Sequence, residues 1–564
     1  MRLTRRNFLA WTALSAIGAV ACRVGIREGE LAIQSPVQMP EDLVKGTDNW
    51  YATLCRNCPS AEGIIVRVME GRAKKIQGNP DYPTNQGKQS PRCDAGLQAV
   101  YHPDRLAGPL RRGGPRGSGQ WEAIDWGAAL DILKRELAAR GDGMLLVTEP
   151  LRGHLGMVAR RFATSLGGRH LAFEAMDNVT YRTAIKNLFG QDLLPDFDLE
   201  HSNFILSFGA DFLSTWVSPT RWNRGYGQFR QGSDRRRRGT LVHVEPRFSL
   251  TAASADKWVP LPPGWEGYLA LSLAYVILEE NLEAPGVDVG ALMGGRPRQA
   301  FLAEELREFR PEAVADRIQS AAGKVELPQN LGADSLASFI RKLAADFATN
   351  RPSLAIGGGS AGAHSNGLFN LEAIYALNYL VGSVGAVGGI KFNPGSPLPD
   401  LPAASEVGSL ADWGRVAEEL RKGSIRLLLV HQANPIHGLP DAVGLREAVD
   451  RDDLFIASFS SFLDDTTAMA DLILPDRVSL EDWGDDIPEP GPGYQVLGFQ
   501  QPVVNPLSDL DPRSFPDVLL TMAQELGKDG QLPWGSFQEL LREGAGKLLA
   551  LSQASPQASP QAAS

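Results

Sequence analysis

From Ala123 onward the sequence alternates short, nearly continuous apolar runs with longer stretches of helical periodicity. Met144-Leu145-Leu146-Val147-Thr148, Phe204-Ile205-Leu206-Ser207-Phe208, Leu241-Val242-His243-Val244, Ser353 to Gly357, Ile425 to His431 and Leu454 to Phe459 are too short for helices, and they lack the alternation of a half-exposed strand. Strands of this kind are buried on both faces and run parallel, joined by helices. Asp125 to Arg140, Leu155 to Leu166, Val179 to Phe189 and Leu368 to Gly382 supply the helical patterns. The expected class is therefore α/β with doubly wound parallel sheets. That body is expected over residues 120–545. A small, mostly-β segment over residues 49–106 precedes it, with strand alternation at Ile64-Ile65-Val66-Arg67-Val68, and a Gly/Pro/Arg loop from Gly108 to Gly119 separates the two. Residues 551–564, with the repeat Ser555-Pro556-Gln557, have too little apolar content to bury a core and are expected to be disordered.

The opening residues read as an address. Arg2, Arg5 and Arg6 precede an apolar stretch from Phe8 to Ala21 that is too short to cross a hydrocarbon core of ~30 Å comfortably. Thr4-Arg5-Arg6-Asn7-Phe8-Leu9 resembles the twin-arginine export signal, read on proteins already folded, and implies work on the outer face of a bacterial cytoplasmic membrane. Residues 1–22 are taken as this signal and 23–48 as a tether. Ala19-Val20-Ala21-Cys22 resembles a lipobox, which would lipidate Cys22; simple cleavage with Cys22 discarded is the other reading. One acyl-bearing end gives marginal membrane binding and suits a peripheral protein docked on membrane subunits. Leu269 to Leu278, flanked by Glu266 and Glu279, reads as a buried helix rather than a span. A net charge of −10 argues against nucleic acid as a partner. Four cysteines (Cys22, Cys55, Cys58, Cys93) are too few for a disulfide scaffold.

Several strand ends resemble the bis-pterin molybdenum oxidoreductase superfamily, the molybdopterin oxidoreductases of the complex iron–sulfur molybdoenzyme type. Ser207-Phe208-Gly209-Ala210-Asp211 is similar to the family's strand ending in Gly-x-Asn, and Val244-Glu245-Pro246-Arg247 to its Asp-Pro-Arg. Pro263-Gly264-Trp265-Glu266 is similar to Pro-Gly-Thr-Asp, His431-Gln432-Ala433-Asn434-Pro435 to Gly-x-Asn-Pro, and Thr466 to Pro475 to the late Thr-Ala-Ala-Asp-Val-Leu-Pro signature. Ligands of open α/β sheets bind outside the carboxyl ends of strands. On that resemblance Gly209, Asp211, Glu245, Arg247, Glu266 and Asn434 mark two pterin-dinucleotide slots.

The resemblance also shows what has changed. Cys55-Arg56-Asn57-Cys58 supplies the first two positions of the family's cluster motif, but Glu62 and Ser90 hold the third and fourth, and Cys93 falls three residues late. Carboxylate and hydroxyl are poor replacements for soft thiolates. No cluster is expected; a disulfide between Cys55 and Cys58 or Cys58 and Cys93 is one alternative, and a three-cysteine cluster the other. In the molybdenum-ligand window, Glu174 to Tyr181, Asp177 is the one conceivable metal ligand. On the same resemblance, the β-barrel domain that closes over the pterins in active relatives is expected to be absent.

A narrower likeness joins Phe208 to Pro219, Ser458 to Ala468 and Glu481 to Asp486 to the molybdopterin-like half of the iron–sulfur/molybdopterin-like subunit of alternative complex III. It implies a cofactor-free structural subunit of a membrane-bound quinol-oxidising complex. Its partners would be a ferredoxin-like iron–sulfur subunit, polytopic quinol-binding membrane subunits and c-type cytochromes. The competing expectation is an active reductase of small oxo- or sulfur-containing substrates, carrying molybdenum bis-pterin guanine dinucleotide with Asp177 on the metal.

Overall fold

The structure, a computed structural model, describes residues 46–176, 178–232, 238–322, 335–401 and 407–554. The export signal, Cys22, nearly all of the tether, Asp177 and residues 555–564 lie outside these.

Asp48–Cys55, Glu62–Met69 and Arg72–Gly78 form a three-stranded antiparallel sheet, backed by the helix Pro91–Tyr101. Ser90 caps that helix, its hydroxyl accepting from the Cys93 N–H at 3.3 Å. This is the small N-terminal β segment expected from the alternation.

Two parallel sheets make the body. One has four strands in the order Lys257–Val259, Thr240–Val244, Phe204–Phe208, Ser353–Gly357. The other has seven, with a parallel centre of Leu472–Leu474, Phe455–Phe459, Leu427–His431, Met144–Thr148 and Arg169–Ala172. The short strands Leu110–Arg112 and Trp121–Ala123 extend one edge antiparallel. Met144–Thr148, Phe204–Phe208, Ser353–Gly357 and Leu427–His431 are buried along their length, which is why they read as unbroken apolar runs.

The larger sheet is discontinuous in sequence. Residues 110–172 pair directly with residues 427–474, while the four-stranded sheet and its helices are inserted between. The helix Glu266–Glu279 is buried on most of its surface in the inserted core, beside Gly367–Leu380. The last helix, Phe537–Ala554, runs four residues into the stretch expected to be disordered. Leu541, buried in the core, and Leu548, packed against it, dock the helix as far as its second half, and the final turn propagates from there.

Candidate functional site

The carboxyl ends of the seven-stranded sheet open into a cavity of about 550 Å³. Its wall joins three regions: Arg56 to Pro59 and Arg92 from the N-terminal segment, Glu149 to Arg152 and Phe173 to Met176 beyond two strand ends, and His431, Gln432, Asp476 to Ser479, Asp482, Asp485 and Asp486 beyond the others. Strand-end loops thus face the β segment across the space, as ligand sites of open α/β sheets do.

The polar wall is rigidly held. Arg152 is buried and donates through Nε and Nη2 to the two Asp486 oxygens, each at 2.8 Å, and through Nε to the Ile487 carbonyl at 2.7 Å. Beside it the helix Gly153–Ser165 begins, and the His154 N–H and ring Nδ1 both engage the Asp485 carboxylate. A carboxylate suits the positive end of a helix. Gly153 is required there: its φ is +64°, and a Cβ would lie 2.5 Å from Asp485 Oδ2. His431, the last residue of its strand, meets Asp476 through Nε2 at 2.8 Å, and its ring stacks on Phe515 with centroids 3.9 Å apart.

Carboxyl groups on this wall are shifted toward the neutral form. Burial, reinforced by Asp476, pushes Asp482 up to about 7, and burial also raises Glu149, Glu174 and Asp486. A folded-state pKa above the unfolded one means that the native chain holds the extra proton. The stabilisation is complete below the unfolded value near 4 and is lost as pH rises through about 7. Asp482→Asn is therefore expected to leave the melting temperature nearly unchanged at pH 3 and to raise it at pH 8; an equal shift at both would contradict this assignment.

Of the six positions marked as pterin slots, none lines this cavity, although Asn434 lies two residues beyond Gln432. Asn434 Oδ1 accepts from the Thr466 N–H and hydroxyl at 3.1 and 2.8 Å, so it ties two strand-end loops together. Asn434→Ala should cost about 1–3 kcal/mol in chemical denaturation by leaving these donors unpaired. The remaining five sit at the other sheet. Gly209 has φ +65°, and a Cβ there would lie 2.5 Å from the Ala361 nitrogen. Asp211 accepts from the Thr251 N–H and hydroxyl, Arg247 reaches Asp211 and Glu245, and Glu266 accepts from Asn370. Trp216 lies across Gly358, so close that a Cβ there would be 2.2 Å from its ring. These side chains bind one another at the strand ends where a dinucleotide tail was expected.

At the N-terminal segment, Cys55, Cys58 and Cys93 are free thiols, and no disulfide joins them. Cys93 is turned toward Glu62, with Sγ 3.0 Å from Oε2, and toward Cys55. Burial and the neighbouring Glu62 and Cys93 push the Cys58 thiol up to about 11. The sequence marked Glu62 and Ser90 as replacements for ligands; the fold brings Cys93 in beside them. Arg152, His431, Asp476 and Asp485 were missed as site residues. The available signal was position, since Arg152 and His431 follow or end apolar strand runs.

A family model for the molybdopterin oxidoreductase domain matches residues 105–487, and one for the molybdopterin oxidoreductase Fe4S4 domain matches residues 48–102. The menaquinone reductase molybdopterin-binding-like subunit of Nitratidesulfovibrio vulgaris is 28% identical, over 96% of this chain and 74% of that protein. The arsenate respiratory reductase molybdopterin-containing subunit of a Shewanella species is 27% identical, over 96% of this chain and 68% of that protein. Acetylene hydratase from Pelobacter acetylenicus has the same fold, with a TM-score of 0.67 at 19% identity over 87% of this chain and 71% of its own.

These matches correct one expectation. A chain without cofactor was expected from the broken ligand motifs, yet both cofactor-domain models match and the relatives include a molybdopterin-containing subunit, pointing to molybdopterin and an iron–sulfur centre. The cavity fits a pterin. His431 Nδ1, Arg477 Nε and Gln500 Oε1, all on lining residues, are buried without a protein partner, and Arg56 and Arg92 bring cationic side chains to the same wall. The three thiols and Glu62 likewise fit a metal centre by donor type. The motif reading required donors at fixed spacings, whereas the first turn of a helix brings Cys93 beside Glu62, with Sγ 3.0 Å from Oε2. With the domain model covering well over half of its residues, this chain belongs to the molybdopterin oxidoreductase family.

Proposed function

We propose that the chain is the molybdopterin-family subunit of a membrane-associated, quinone-linked electron-transfer complex of the alternative complex III type. In this reading the twin-arginine segment exports it to the outer face of the cytoplasmic membrane, and Cys22 anchors it by a lipid. There it docks a ferredoxin-like iron–sulfur subunit, polytopic quinol-binding subunits and c-type cytochromes. The observation that carries the proposal is the likeness over 96% of the chain to a menaquinone reductase subunit. Among the described residues no helix is long and apolar enough to cross a membrane, so contact with quinone would pass through partner subunits.

Within the cavity, Arg56, Arg92 and Arg477 would hold the pterin, and His431 and Gln500 would orient it through their unpaired atoms. The chemistry such a group supplies when bound is electron exchange at its metal. Arg152, fixed on Asp486, keeps the strand-end loop against the β segment. Asp482, poised near neutrality at about 7, can take or give up a proton beside the cavity.

Deleting the gene should abolish quinol-dependent cytochrome c reduction in isolated membranes, and the full-length chain should restore it. Unchanged reduction would count against the proposal. A second reading, a reductase of small oxo- or sulfur-containing substrates, is favoured by the placement of Glu174 to Met176 on the cavity wall, directly before Asp177. Reduction of such a substrate by the purified chain, lost in Asp177→Ala, would establish it instead.

A further inference from the structure

Building on the reading that the cavity holds a pterin, we infer that His431 is the proton acceptor of its wall. It takes at Nδ1 the ring N–H proton of a bound heteroaromatic lactam, and Asp476 is its positioning residue.

His431 ends the strand Leu427–His431, lines the cavity and is 3% exposed. Its Nε2 lies 2.8 Å from Asp476 Oδ2, while Nδ1 is buried with no protein partner. The surroundings of Asp476 decide which nitrogen carries the ring proton. Oδ2 also accepts from Gln432 Nε2 at 2.8 Å, and Oδ1 accepts from the Phe515 N–H at 3.0 Å. An ionised carboxylate only accepts, so His431 Nε2 donates to it. A neutral imidazole with its proton on Nε2 keeps a lone pair on Nδ1, free to take a proton.

Two features hold this arrangement. Gln432 has a φ of +49°, which non-glycine residues rarely adopt, and from there its amide reaches the same Asp476 oxygen as His431. Strain of this kind persists only where the surroundings impose it, and it gathers at functional sites. The His431 ring is also stacked on Phe515, with centroids 3.9 Å apart, which fixes the plane of the Nδ1 lone pair.

Other groups on this wall are less suited to take a proton. Gln500 Oε1, also buried and unpaired, is an amide oxygen that accepts a hydrogen bond without becoming protonated near neutrality. Burial shifts Glu149 toward its neutral form, which takes no further proton. Burial also pushes the pKa of His170 down to about 4, so this second imidazole brings no positive charge against a protonated His431. Arg56 faces Glu149 from the N-terminal segment, and Arg477 and Asp482 follow Asp476 along the chain. In the transfer, the ligand N–H bond breaks with its electron pair left on the ligand nitrogen, and the Nδ1–H bond forms. The imidazolium is then paired with Asp476, and no electron moves.

The test uses the full-length chain, carrying isotopically labelled histidine and produced in a host that makes no pterin cofactor, with hydroxymethylpterin as the probe. Nitrogen magnetic resonance should show His431, assigned by its loss in His431→Phe, with the proton on Nε2 and a bare Nδ1. The probe should bind, read by quenching of its fluorescence, and should move the Nδ1 resonance toward the protonated position. His431→Phe should weaken binding about tenfold, the loss of one hydrogen bond of ordinary strength. Asp476→Asn should keep a cooperative melt but let the ring proton exchange between the two nitrogens, so that the Nδ1 shift on binding shrinks. The proposal is overturned if the wild-type ring proton sits on Nδ1, if bound probe leaves the His431 resonance unmoved, or if Asp476→Asn changes neither tautomer nor shift. A probe that does not bind the wild type overturns the pterin reading of the cavity as well.

Discussion

Replacing Arg152 with alanine should lower the free energy of unfolding by about 3–5 kcal/mol, the usual cost of leaving one partner of a buried ion pair uncompensated. Arg152 is 4% exposed and Asp486 6%. The guanidinium satisfies both Asp486 oxygens, the Ile487 carbonyl and the Pro59 carbonyl, which belongs to the N-terminal segment. Its loss therefore strands a carboxylate and frees one side of the cavity from the other. Chemical denaturation measures the first effect. Pterin content after mild isolation measures the second, and is expected to fall at least several-fold. Asp486→Asn in the same background should recover much of the stability by neutralising the stranded charge, without recovering the pterin. A variant with wild-type stability and pterin content would refute this account of the wall.

The second large effect is expected at Arg105, beside the junction of the β segment and the body. Its Nη1 and Nη2 meet the two Glu481 oxygens at 2.6 and 2.7 Å, and Nη1 also donates to the Val100 carbonyl at the end of the N-terminal helix. Both side chains are almost fully buried. Arg105→Ala should again cost about 3–5 kcal/mol, whereas Arg105→Met combined with Glu481→Leu should lose far less, since a well-packed apolar pair can replace a buried ion pair. Denaturation of the single and double variants separates these outcomes. Equal losses would show that packing, not the charge pair, holds the junction.

The strands could be read from the sequence because burial on both faces erases the polar alternation that would blur them. Ser353–Gly357 and Val179–Phe189 coincide with the expected elements, and Trp126–Arg140 starts one residue late only because Asp125 caps it. Strand order was not readable. Met144–Thr148 pairs with Leu427–His431 across nearly three hundred residues, and no local periodicity records so distant a partner.

Apart from Asn434, the positions marked from motif order and the residues lining the cavity lie at different sheets. Asp211, Glu245 and Glu266 occur in motif order, but motif order cannot show that their side chains bond Thr251, His243, Arg247 and Asn370. The cavity instead depends on Arg152, Asp485 and Asp486, brought together from residues more than three hundred apart. The broken cluster motif misled for a related reason. Spacing along the chain predicted a missing ligand, while a helical turn and a strand pairing place Cys93, Glu62 and Cys55 at one point.

Affinity isolation of the full-length chain from gently solubilised membranes of its own host tests the central claim most directly. The expected result is co-purification, in fixed proportion, of a ferredoxin-like iron–sulfur protein, polytopic membrane subunits and a c-type cytochrome, with quinol-dependent reduction of that cytochrome. Recovery of the chain free of membrane subunits, active on a small oxo- or sulfur-containing substrate, would contradict it.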